Sequence, residues 1–76
     1  MLLREIGFGN HTLLVEETDE KYRVEVLGTE GKRAFLHIYD RYDVVRGALE
    51  TITGLLEKGI EDEAQIIAIL ESSKDN

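Results

Sequence analysis

The chain has 76 residues, with 16 acidic against 9 basic side chains, a formal charge of −7, and neither Cys nor Pro. A chain of that length forms one domain that buries only about 60% of its unfolded surface, and without Cys it has no disulfide or thiolate metal site to reinforce it. The acidic excess repels phosphate backbones and disfavours non-specific nucleic-acid binding, and no stretch has the layout of a signal peptide or the length of a membrane span.

These features point to a cytoplasmic setting and make a homodimer a reasonable expectation. Residues 1–73 read as a single α+β domain and 74–76 as a frayed C-terminal tail.

Residues 2–8 and 11–17 read as the arms of a hairpin around Gly9-Asn10, a dipeptide suited to a type II′ turn. That turn pairs Phe8 with His11, Ile6 with Leu13 and Arg4 with Val15, placing Ile6, Phe8, His11, Leu13 and Val15 on one face. After an acidic turn, Tyr22, Val24 and Val26 alternate with Lys21, Arg23 and Glu25 as in a half-buried strand.

The loop Gly28-Thr29-Glu30-Gly31 admits more than one register. A three-residue loop with Gly31 in the left-handed region pairs Val24 with Leu36 and Val26 with Ala34. Ala34, Leu36 and Ile38 then point inward, and Phe35, His37 and Tyr39 point outward opposite Glu25, Arg23 and Lys21. Rings interleaved with cations on an open face suit a single-stranded nucleic-acid platform. They equally suit packing under Lys and Arg stems, or cover by a second subunit.

Asp40 to Gly59 is the best-specified stretch. Tyr42, Val45, Ala48, Leu49, Ile52 and Leu56 form an apolar stripe at helical spacing. Asp40 is placed to cap the start, and Lys58-Gly59-Ile60 reads as a Schellman stop. Gly47 and Gly54 fall on one line of the opposite face, where each costs roughly 1 kcal/mol against Ala; they are tolerated surface glycines or a groove for a closely approaching partner.

Asp62 with Gln65 reads as a capping box opening a second helix. Within it Ala64, Ile67 and Ala68 share a side with Ile60, whereas Ile66 and Ile69 fall on the far side, where a partner subunit is the expected cover. The competing reading of residues 64–70 is a short buried strand, since Ile favours β.

Catalytic and cofactor signatures are absent from the sequence: no Cys nucleophile, no phosphate-binding glycine loop, no H-E-x-x-H and no EF-hand spacing. His11 and His37 lie on different strands and, in this register, on opposite faces. Glu61, Asp62 and Glu63 serve a helix dipole better than a cation. His37, Tyr39, Asp40 and Arg41 could do acid–base work but have no nucleophile beside them.

The fold class expected is α+β, a four-stranded antiparallel meander with two C-terminal helices on one face. Its element order resembles that of several small ββββα modules, some of which bind single-stranded nucleic acid, a likeness of architecture alone.

The function expected is a protein-interaction module without catalytic activity, cofactor or metal, partnering itself and another protein. Its surface is expected at Phe35, His37, Tyr39, Arg23, Ile66, Ile69, Gly47 and Gly54. The alternatives are an acidic nucleic-acid mimic that inhibits a basic protein, as in phage, and a single-strand binder using the outer sheet face.

Overall fold

A computed structural model describes residues 1–75. Four strands, β1 (Leu2–Phe8), β2 (His11–Thr18), β3 (Lys21–Leu27) and β4 (Arg33–Tyr39), precede two helices, α1 (Tyr42–Glu57) and α2 (Glu63–Ser72). The sheet is an antiparallel meander in the order β1-β2-β3-β4, and both helices pack on one of its faces, giving the expected two-layer α+β sandwich.

The first hairpin pairs as the turn chemistry dictates, with Phe8 opposite His11, Ile6 opposite Leu13 and Arg4 opposite Val15. Gly9 takes the positive φ of +55° that a type II′ turn requires at its first central position. Where β2 meets β3, Asp19 and Glu20 both adopt positive φ, 53° and 65°, the pattern of a tight type I′ turn without glycine.

The core lies between the sheet and the helices. Phe8, Leu13, Val15, Val24, Val26, Phe35 and Tyr39 of the sheet meet Val45, Ala48, Leu49 and Ile52 of α1 and Ile66 and Leu70 of α2. α1 buries the stripe its sequence predicts and ends as predicted: Gly59 has φ +81°, and the Ile60 and Gly59 amides donate to the Leu55 and Leu56 carbonyls at 3.0 and 2.9 Å. Its start differs. Arg41 occupies the cap position with no side-chain cap, because Asp40 is drawn to Lys21 at 2.5 Å.

α2 is a helix and not a strand, and it faces the other way from expectation. Ile66 and Leu70 are buried, with Ile67 and Ile69 flanking, while Ala64 and Ala68 are exposed. The stripe that decides this is Ile66, Ile69, Leu70 and Ser73, spaced i, i+3, i+4 and i+7; it puts the larger side chains inward.

Asp62 caps the helix through Ala64 N–H at 3.0 Å, with the Gln65 amide donating to its second oxygen at 3.2 Å. The expected tail starts within the fold. Ser73–Asp75 continue as a 3₁₀ turn, and the Lys74 ammonium sits 5.2 Å from the Phe35 ring centroid. The remainder of the expected tail, Asn76, lies outside the described residues.

Candidate interaction surface

The loop before β4 and one extra residue inside it decide what this protein shows to its surroundings. Leu27 pairs with Arg33, the register expected from a left-handed Gly31 (φ +73°), but Val26 pairs with Phe35, Val24 with His37 and Tyr22 with Tyr39. Ala34 is therefore a β-bulge, and a one-residue slip turns every following side chain to the other face. Phe35 and Tyr39, expected outside, are 6% and 4% exposed in the core, and His37 is half-buried on the same side. Leu36 and Ile38, expected inside, lie on the uncovered face, Ile38 with 55% of its surface exposed, and Ala34, expected with them, is exposed at the bulge.

The slip also gives the Tyr39 hydroxyl a partner. It donates to the Leu70 carbonyl at 2.7 Å, one of the last carbonyls of α2, which have no intrahelical donor. Burial, reinforced by the nearby Glu71 charge, pushes the Tyr39 phenol up to about 12. His37 stands edge-on to the same ring at 4.6 Å between centroids.

The uncovered face carries one charge ladder among aliphatics. Arg23 joins Glu16 at 3.1 Å and Glu25 at 3.0 Å, and Arg33 Nε donates to Glu25 at 2.7 Å. Glu25 is 7% exposed, roofed by its two arginines between its neighbours Leu14 and Leu36. The Arg33 hydrogen bond and the Arg23 charge hold its carboxyl below the usual value against the opposing effect of burial. Arg23 is the one expected surface residue of the sheet that lies on the outer face as anticipated, and it is engaged in ion pairs there.

The remaining expected surface residues divide. Ile66 is fully buried in this chain's own core. Ile69 is half-buried and lines, with Gly47, Ala48 and Thr51, a groove between α1 and the end of α2. Among the described residues, no atom outside the glycine's own helix backbone and chain neighbours lies within 4 Å of a Cβ built on Gly47 or Gly54.

Several of the polar groups able to do acid–base chemistry are engaged in internal contacts. His37, Tyr39, Asp40 and Arg41 do converge with Lys74 on one shallow cavity. There Asp40 is paired with Lys21, and Arg41 is clamped on Asp43 through Nε at 3.1 Å and Nη2 at 2.5 Å.

The acidic start of α2 is likewise engaged. Glu61 accepts the Gly9 N–H at 3.2 Å, Asp62 caps the helix, and Glu63 contacts His11, whose ring stacks on Phe8. Among the described residues no cluster of three potential metal ligands forms, and no helix is long and apolar enough to cross a membrane.

β4 is one of the two edge strands that the rest of the fold leaves open. It pairs with β3 alone, and no backbone group of another element bonds to its free side among the described residues. Compared with known protein families, curated proteins and solved structures, the chain finds no match.

Proposed function

We propose that this is a cytosolic protein-interaction module, without catalysis of its own, whose contact surface is β4 and the sheet face beside it. One observation carries the reading: β4 is an open edge strand whose helix-free face presents Leu36 and Ile38. An edge strand offers a row of unpaired N–H and C=O groups to another chain, and natural folds usually guard it with charge, Pro or a covering element. The regular part of β4, Phe35 to Tyr39, has no Asp, Glu, Lys, Arg, Gly or Pro.

The engagement of the acidic α2 start in internal contacts leaves an acidic mimic resting on the net charge and the exposed acidic turn at Asp19-Glu20. A single-strand platform loses the two rings, Phe35 and Tyr39, on which bases would have stacked.

A photo-crosslinking side chain placed at position 38, compared with one at the exposed α1 position Arg46, tests the reading in the native cell. Protein adducts specific to position 38 are expected. Equal yields at the two positions would end it.

A further inference from the structure

Resting on β4 as the contact surface, we infer that its partner is a second copy of this chain, joined β4 to β4 in antiparallel register about His37. The two four-stranded sheets become one continuous sheet, with both helix layers on the same side. That arrangement follows from a two-fold axis perpendicular to the sheet.

Three features of the chain select this occupant. First, the two edges are not equally protected. β1 carries Arg4, Glu5 and Gly7 beyond its own bulge, whereas β4 beyond Ala34 carries no charge until Asp40.

Second, the strand is complementary to its own reverse. With His37 on the axis, Leu36 faces Ile38 of the second copy on the open side, and Phe35 faces Tyr39 on the helix side. Opposed apolar and aromatic pairs of this kind are the stabilising unit of a sheet.

Third, the ends of β4 have opposite charge. With Ala34 bulged out, as it is against β3, Arg33 comes opposite Asp40 of the second copy, twice by symmetry. Arg33 uses its Nε on Glu25 and Asp40 its Oδ1 on Lys21, which leaves the two terminal amino groups of one for the second carboxylate oxygen of the other. Parallel pairing would set like charge near like charge, and moving the axis to Leu36 would set Ile38 against the bulge.

The chain has no Cys, so introduced thiols report the geometry directly. Opposed Cα atoms in an antiparallel pair lie about 4.5 or 5.5 Å apart, both within disulfide range. Mild oxidation should link His37→Cys to itself, and a mixture of Leu36→Cys and Ile38→Cys should give the mixed dimer in large excess over either self-linked product. Leu14→Cys, at the centre of the open face, should remain unlinked.

Sedimentation of the unmodified chain should show reversible dimers at micromolar to submillimolar concentration. Ile38→Lys, at an exposed position where folding is unaffected, should weaken them by about tenfold or more.

Dimers in which only Leu14→Cys links would overturn the edge geometry and leave β4's face as a contact for a second copy stacked on it. A monomer at all concentrations that still gives position-38 adducts with another protein would overturn the second copy and leave the module. A monomer without such adducts would remove both.

Discussion

Replacing Tyr39 by Phe deletes one oxygen and tests both the bulge and the burial it brings. The hydroxyl donates to the Leu70 carbonyl at 2.7 Å in a site 4% exposed, and leaving that carbonyl unpaired costs about 1–3 kcal/mol. For 76 residues total stability is about 4–11 kcal/mol, and each kcal/mol lowers Tm by about 4–8 °C at this size, so the loss is readily measured by urea unfolding at neutral pH.

The alkaline limb adds a second readout. The folded phenol titrates at about 12 against an ordinary value of 10.0. Its contribution is therefore complete below pH 10.0 and is lost as pH rises through about 12. That difference amounts to roughly 2–3 kcal/mol, enough to close or reverse the gap between Tyr39→Phe and the unmodified chain. A gap that is absent at neutral pH, or that stays constant up the alkaline limb, would mean that the hydroxyl is in water, as the unbulged register would have it.

Gly47→Ala and Gly54→Ala should each stabilise the protein by about 1 kcal/mol, because among the described residues an added Cβ meets no atom of another element within 4 Å; destabilisation in thermal melts would reveal a partner seated on that line. Glu25→Gln should cost about 1 kcal/mol at neutral pH, within the range for a charge-assisted hydrogen bond near solvent. Since the folded carboxyl titrates below 4.5, the deficit should fade as pH falls through that folded value, and acid titration of both proteins by circular dichroism checks it. Ile66→Ala should cost about 2–5 kcal/mol, and because Ile66 is covered by its own chain the loss should not vary with protein concentration in calorimetry. A loss that shrinks on dilution would put a partner over Ile66 after all.

Much of the fold is legible in the sequence because local signals agree with one another. Gly9-Asn10 fixes one hairpin register, and Gly59 followed by Ile60 fixes the end of α1. Legibility fails where a segment is apolar on both sides. From Ala34 to Tyr39 either set of alternating residues could fill a core, so periodicity cannot choose between them, and the bulge that does choose leaves no mark of its own in Lys32-Arg33-Ala34. The tighter fit comes from elements far along the chain: Leu70 offers Tyr39 its carbonyl, and Lys74 covers Phe35.

The inner face of α2 is hard to read for a related reason: alignment on Ile60 makes Ile67 central and Ile66 peripheral, whereas the stripe that includes Leu70 and Ser73 puts Ile66 at its centre. Phe35, Tyr39 and Ile66, expected at the surface, lie in the core, and the β4 neighbours Leu36 and Ile38 lie on the uncovered face.

The stitches from the first hairpin to the last helix, Gly9 to Glu61 and His11 to Glu63, span 52 positions of sequence. A chain whose first hairpin must meet its last helix carries loop-closure entropy before those contacts form, which slows its folding relative to a fold built from local contacts alone.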